Sequence, residues 1–219
     1  MESNILAQGI EALCKNDGDA ENLIAPRKEE IITLLNLYIK EIELFNPAYG
    51  LVGTTDTEEL IIKHILDSLA PVGIISRLLE NAQKIADAGS GAGLPGIPLA
   101  IALNQCNVTL IERMGRRAGF LFNTTAALSL SNVIIEENEL EKTANHQFNL
   151  ITFRAFKPMD PKLFKTLVKT CAAGGVIAAY KGKLDKIEEE MASIKTAWEA
   201  IPYNVPFLNE ERHLLVIRV

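Results

Sequence analysis

Apolar residues recur at three- and four-residue spacing through the first third of the chain, then in short continuous bursts after residue 84. Ile5, Leu6, Ile10 and Leu13 predict a short helix followed by a polar loop containing Gly18. Pro26 suits a first helical position, and with Glu29 and Glu30 in the first turn it opens a longer helix. Ile31, Leu34, Leu35, Tyr38, Ile42 and Phe45 carry that helix, and Asn46-Pro47 is expected to stop it. Asp56 followed by Glu59 reads as a capping box for a helix through Leu60, Ile61, His64, Ile65 and Leu69. Another helix is expected from Pro71 to Leu79.

From Lys84 the pattern alternates between strands and helices. Strands are expected at 85–88, 108–111, 133–135, 148–153 and 176–180, with helices at 95–103, 120–130 and 163–171 between them. Such alternation implies parallel βαβ units and a sheet covered on both faces. The end departs from it: a helix over 183–198 precedes strands at 203–207 and 213–218, joined through Asn209-Glu210-Glu211. The expected fold class is α/β, a Rossmann-like sheet of the class I methyltransferase type, mostly parallel, with a C-terminal antiparallel pair and an N-terminal helical extension. Residues 1–83 form the extension and 84–219 the core, together one structural domain.

The stretch Lys84 to Leu99 is the centre of the chemistry: an apolar run, four glycines at 89, 91, 93 and 96, then helical spacing from Ile97. Strand, glycine loop and helix in that order make a cradle for a nucleotide-like cofactor, because glycine admits close approach and the helix start offers unpaired N–H groups. Gly91-Ala92-Gly93-Leu94-Pro95-Gly96 satisfies G-x-G-x-x-G, and Glu112 follows about twenty residues on, as a dinucleotide site requires. Asp87, at the strand's carboxyl end, argues the other way. Two like charges about 4 Å apart repel by about 4 kcal/mol at an effective dielectric near 20, which disfavours a pyrophosphate. S-Adenosylmethionine has no phosphate and carries two cationic centres, so it suits Asp87 better. An NAD-dependent oxidoreductase remains the alternative.

In an open α/β sheet the ligand lies beyond the carboxyl ends of the strands. Asp87 and Gly89 end the first strand, Glu112 the second, Glu139 to Glu141 follow the third, Arg154 ends the fourth and Lys181 the fifth. Glu112 could accept both ribose hydroxyls. Leu140 and Glu141 either flank an adenine or belong to a solvated acidic turn. Arg154, framed by Phe153, Ala155 and Phe156, is placed to contact cofactor or substrate. Arg116 and Arg117 start a helix, where positive charge is unfavourable, so they meet an anionic partner or form a simple surface pair. Lys181-Gly182-Lys183 and Glu211-Arg212-His213 are further loop candidates.

A chain of 219 residues can bury roughly 70% of its unfolded surface, enough for one substantial core. Its 22 Lys and Arg against 28 Asp and Glu give −6, which argues against indiscriminate nucleic-acid binding. The distribution changes that picture: from Arg113 to Lys186 twelve Lys and Arg face six Asp and Glu, +6 for that span and −12 elsewhere. One positive face could therefore engage phosphates. Cys14, Cys106 and Cys171 are far apart, and His64, His146 and His213 are scattered, so neither disulfide nor metal is expected. No apolar run reaches membrane-spanning length and the start lacks a basic signal, so a cytoplasmic location without membrane association is expected.

Several of these stretches, in this order, resemble the RsmG (GidB) family of bacterial methyltransferases. They are Lys63-His64-Ile65-Leu66-Asp67-Ser68-Leu69, the run from Asp87 to Leu99 with its Leu-Pro-Gly-Ile-Pro, Arg116-Arg117 before Phe120-Leu121, Arg154-Ala155-Phe156, Lys181-Gly182, and Glu211 to Ile217. The resemblance implies methylation of a guanine at N7 in 16S ribosomal RNA, with that RNA or the small ribosomal subunit as partner and no obligate protein partner evident. By the same resemblance the cofactor meets Gly89, Leu94, Arg154 and, within a one-residue shift, Leu140 and Glu141. With the residues read from the loop and strand ends, the expected S-adenosylmethionine set is Asp87, Gly89, Gly91, Gly93, Leu94, Glu112, Leu140, Glu141 and Arg154. Arg116, Arg117, Lys181 and Arg212 would face RNA. Two departures from the family pattern are Gly50-Leu51-Val52, where Asn-Leu-Thr is usual, and Phe153 in place of Ser. Guanine N7 carries a lone pair and no proton at neutral pH, so alignment rather than a general base is required. A methyltransferase for another RNA, a protein or a small molecule, and a noncatalytic RNA-binding module, are the remaining alternatives.

Overall fold

A computed structural model of the chain describes residues 4–79, 83–155 and 157–219. Helix α1 (Asn4–Asn16) is followed at once by α2 (Gly18–Ile24), so the expected loop at Gly18 is a helix start. The reason is Asp17, whose carboxylate caps α2 by accepting from Asp19 N at 2.9 Å and Ala20 N at 3.3 Å. A 3₁₀ turn, Ala25–Arg27, carries Pro26 into α3 (Lys28–Tyr49). Asn46-Pro47 does not stop α3, which runs on to Tyr49 and ends at Gly50 with φ +59°. Pro47 lies in the last turn, and the Asn46 amide closes the exit by accepting from Leu51 N at 2.8 Å and Val52 N at 2.9 Å.

Asp56 caps α4 (Thr57–Leu60) through Glu59 N at 2.7 Å, as its spacing predicts. The expected single helix to Leu69 is interrupted: Ile61–Leu66 is π-helical before α5 (Asp67–Leu69), and α6 (Val72–Leu79) follows. The core then runs β1 (Lys84–Ala88), α7 (Gly96–Ala102), β2 (Asn107–Ile111), α8 (Gly115–Ala127), β3 (Val133–Glu136), β4 (Phe148–Arg154), α9 (Pro161–Thr170), β5 (Cys171–Lys181), α10 (Leu184–Met191), β6 (Glu199–Pro202) and β7 (His213–Arg218). A 3₁₀ turn, Leu140–Lys142, lies between β3 and β4. The helix expected over 183–198 ends at Met191, although Ile194 stays buried at the helical spacing of Ile187 and Met191. The strand expected at 203–207 lies four residues earlier. Pairing to β7 runs from Glu199 opposite Val216 to Pro202 opposite His213, and an edge strand tolerates the N–H that Pro202 lacks.

The seven strands are ordered β3-β2-β1-β4-β5-β7-β6, with β1 to β5 parallel and β7 antiparallel between β5 and β6. Strand order reverses between β1 and β4, which places the ligand crevice over their carboxyl ends. One face of the sheet buries a core shared with the N-terminal helices and α7, and the other is covered by α9 and α10. Buried hydrogen bonds tie the extension down: Tyr38 Oη donates to Ala92 O in the glycine loop at 2.7 Å, and Tyr180 Oη to Ser68 O at 2.7 Å. Among the described residues no helix is long and apolar enough to cross a membrane, and no group of three or more His, Cys, Asp or Glu could hold a metal.

Candidate active site

The glycine loop turns from β1 into α7 with Gly89, Gly91 and Gly93 at φ +70°, +58° and +91°. Gly96 is fixed by close approach, since a Cβ there would lie 2.3 Å from Leu110 Cδ2 and 2.7 Å from Asp87 Oδ2. That proximity lets Asp87 Oδ2 accept from Gly96 N at 3.0 Å. Asp87 is 0% exposed, its Oδ1 has no hydrogen-bond partner, and burial raises its pKa from 3.8 to about 7. The carboxyl lies beneath the loop, lines neither cavity described below, and positions the start of α7. Gly91 and Gly93 shape the loop, and Leu94 is buried under it.

Glu112 does reach the ligand edge. It is 4% exposed, its Oε2 accepts from Gly91 N at 2.9 Å and its Oε1 from Met114 N at 2.8 Å. One carboxylate thus clamps the glycine loop to the start of α8. It lines a cavity of about 320 Å³ with Gly89, Arg117, Leu140 and Glu141. Leu140 gives that cavity a buried apolar patch, and Glu141 sits opposite Lys157 at 3.8 Å.

A second cavity, of about 440 Å³, opens on the β4–β5 side, lined by Asp67, Phe153, Arg154, Tyr180, Lys181 and Arg212 among others. Arg154, expected against cofactor or substrate, lines this cavity beside the wall it shares with the first. Its Nη1 donates to Lys63 O at 3.0 Å and Asp67 Oδ2 at 3.1 Å, and its Nη2 lies 2.9 Å from His64 Nδ1. Burial and then the Arg154 charge lower the His64 pKa from 6.5 to about 4, so the ring is neutral and accepts from the guanidinium. Phe156, expected to frame Arg154, lies outside the described residues. Lys181 pairs with Glu190 on α10. The two cavities meet at Ala155, with φ +50°, and Lys157, which line both.

Comparison with known proteins decides the family. The profile of the family described as rRNA small subunit methyltransferase G (GidB) matches residues 31–215. A Treponema denticola protein named Ribosomal RNA small subunit methyltransferase G is 36% identical over 99% of this chain and 94% of its own. A Treponema pallidum protein of the same name is 42% identical over 85% of each chain. The chain belongs to the rRNA small subunit methyltransferase G family. Among solved structures it is similar to a putative S-adenosyl-l-methionine-dependent methyltransferase from Methanococcus maripaludis, with a TM-score of 0.57 at 15% identity over 82% of this chain and 90% of that one. A SAM dependent methyltransferase from Aquifex aeolicus gives 0.55 at 13% identity, over 75% and 94%. These likenesses agree with the Rossmann-like fold of the sheet.

Within this family member, the four cations expected to face RNA fall in three places. Lys181 and Arg212 line the larger cavity, and Arg117 lines the smaller one. Arg116 is exposed, but it donates to Ala48 O and lies 4.9 Å over the Tyr49 ring, so it fastens the end of α3 to α8. Reading by residue type missed Asp67, His64 and Tyr203. The available signal was Asp67 itself, a carboxylate between Leu66 and Leu69 at a core-facing position.

Proposed function

We propose that this chain transfers a methyl group from S-adenosylmethionine to N7 of a guanine in 16S ribosomal RNA, free or in the small subunit. Family membership supports the reaction, and one observation carries the assignment of roles: two cavities at the carboxyl edge of the sheet share the wall formed by Ala155 and Lys157. The smaller cavity suits the donor. Its carboxylate at the end of β2, apolar Leu140 and tight glycine loop match a nucleoside lacking phosphate. S-Adenosylmethionine supplies an electrophilic methyl group when bound. Glu112 would hold the ribose with the lone pairs its two backbone donors leave, Gly89 would let the loop approach closely, and Leu140 with Glu141 would flank the base.

The larger cavity would take the acceptor. Its cations Lys181 and Arg212 attract the RNA backbone, Arg154 beside the shared wall meets cofactor or substrate, and Phe153 and Tyr180 offer apolar surface to a base. Because N7 needs no proton removed, these residues are asked to align and not to act as a base. We further read residues 1–83 as a helical extension of the 84–219 core, and the enzyme as cytoplasmic, acting without a membrane or an obligate protein partner. The test is transfer of labelled methyl to unmodified bacterial small-subunit RNA, with mapping of the product. Label on a single guanine at N7 is expected. Label elsewhere, or none, would overturn the reading.

A further inference from the structure

Among the described residues, four that are not glycine hold φ in the left-handed region: Ser129 at +55°, His146 at +51°, Ala155 at +50° and Phe207 at +67°. Three have a local reason. Ser129 lies just beyond α8 and donates its N–H to Ala126 O at 3.0 Å, His146 brings its ring Nδ1 to 3.2 Å from Cys171 O, and Ala155 is small. Phe207 is bulky, apolar and 55% exposed. Other exposed apolar side chains, Leu44 and Ile134 among them, sit in regular helix or strand and need no explanation. At Phe207 the fold accepts backbone strain and gains little burial in return.

The strain comes from the turn Val205-Pro206-Phe207-Leu208. Leu208 N donates to Val205 O at 3.1 Å, and Pro206 fixes a negative φ at the second position. The positive φ at the third then makes the turn type II, which calls for glycine or asparagine where Phe207 stands. Val205 is buried and Leu208 packs on the core, so the turn is anchored at both ends while the Phe207 ring is left to solvent. Tyr203 N donates to Arg212 O at 3.0 Å to close the loop, and both closing residues line the larger cavity. Phe207 is four residues from Tyr203, a reach of at most about 14 Å, so the ring belongs to the rim of that cavity. Glu210 and Glu211, exposed in the same loop, make it a poor seat for a phosphate. What the rim offers at this point is an aromatic face.

We propose that Phe207 is a stacking platform for an unpaired base of the acceptor RNA, one that flanks the guanine held in the larger cavity. The proposal deepens the methyltransferase reading above and rests on it. Unpaired RNA bases splay out and stack on aromatic side chains, which a paired duplex does not allow. A ring held outward by a strained turn is presented without rearrangement, and contact with the base is the return on the strain.

Strain and stacking predict opposite signs for one substitution. Phe207→Gly relieves the turn, so it is expected to keep or raise the thermal midpoint. The same change is expected to weaken binding of unmodified bacterial 16S ribosomal RNA, and raise KM for it, by about fivefold or more. S-Adenosylmethionine affinity should stay within about twofold of the parent, and affinity for a fully paired RNA duplex should not change. Phe207→Trp should keep the RNA affinity and lose emission when the RNA binds, beyond any change shown by the parent, whose single tryptophan is Trp198. It decides the matter should Phe207→Gly fail to fold. RNA affinity of Phe207→Gly within about twofold of the parent, or Phe207→Trp emission indifferent to RNA, would overturn the proposal. So would weakened binding to small subunits with free RNA binding intact, which would put a ribosomal protein on the ring. If the parent transfers methyl and the variants bind RNA as it does, this proposal falls alone. If the parent binds the RNA and transfers no methyl, the function reading falls, and the affinities and the emission still decide the role of Phe207.

Discussion

Asp87 and His64 are buried titratable groups whose effects on stability have opposite signs. The Asp87 pKa rises from 3.8 to about 7 on folding, mainly through burial, so the native state holds a proton that the unfolded chain releases. Its contribution is complete below the unfolded value and is lost as pH rises through about 7. The His64 pKa falls from 6.5 to about 4, so its contribution is present above the unfolded value and is lost as pH falls through about 4. Where the two windows overlap the slopes oppose, each reaching about 1.4 kcal/mol per pH unit. Urea unfolding at about pH 4.5 and about pH 6.5 should show little change for the parent, rising stability with pH for Asp87→Asn, and falling stability for His64→Gln. Identical slopes in all three would refute the burial argument. Glu112 makes a different prediction at this scale. Glu112→Ala strips partners from Gly91 N and Met114 N, and should lower stability by about 1–3 kcal/mol and weaken S-adenosylmethionine binding at least about tenfold by calorimetry.

At the scale of elements, α3 is the strut that holds the glycine loop from behind. Tyr38→Phe leaves Ala92 O buried without its 2.7 Å donor, a loss of about 1–3 kcal/mol visible in the urea midpoint. Because Ala92 lies within the loop, donor affinity should fall with it; loss of stability at unchanged affinity would show that the strut and the loop are uncoupled. The strands β1 to β4 were legible in the sequence because each is a short apolar run bounded by glycine or polar residues, and β5 was legible from Val176 onward, its first five residues being hidden by Gly174 and Gly175. Three other features turned on information outside the local pattern. Pro47 reads as a stop, but in the last turn its ring costs a single hydrogen bond, and Asn46 makes others. The π-helical turn leaves the apolar spacing almost intact, so Ile61 to Leu66 look like ordinary helix. The position of β6 follows from its register against β7, which no local window contains. The site divides in the same way. Glu112 was legible because strand ends converge, whereas the direction of Arg154 was not, since its partners Lys63, His64 and Asp67 lie 87 to 91 residues earlier.

At the scale of the molecule, an acidic protein must bind a polyanion with a few cations in the right place. The basic span from Arg113 to Lys186 does not form one continuous patch. Parallel strands start their following helices at the ligand edge, so along α9 Lys162 lies near that edge and Lys169 at the opposite end. The cations that line the larger cavity, Arg154, Lys157, Lys181 and Arg212, are already partnered by Asp67, Glu141, Glu190 or Glu210. Few phosphates can therefore be neutralised, and the salt dependence of RNA binding should be shallow for a protein of this kind. Each phosphate contact contributes about −0.7 to −0.9 to the slope of log affinity against log salt. Two to four contacts give about −1.4 to −3.6. Lys181→Gln and Arg212→Gln should each weaken binding and flatten the slope by about 0.7–0.9. Arg117→Gln should leave the slope unchanged and weaken the donor, because Arg117 lines the smaller cavity. Arg116→Gln should lower thermal stability by fractions of a kcal/mol to about 1 kcal/mol, because its partners are Ala48 O and Tyr49. A steep slope that all four substitutions reduce equally would mean that RNA lies across the whole basic span, and the division of these cations between two cavities would be wrong.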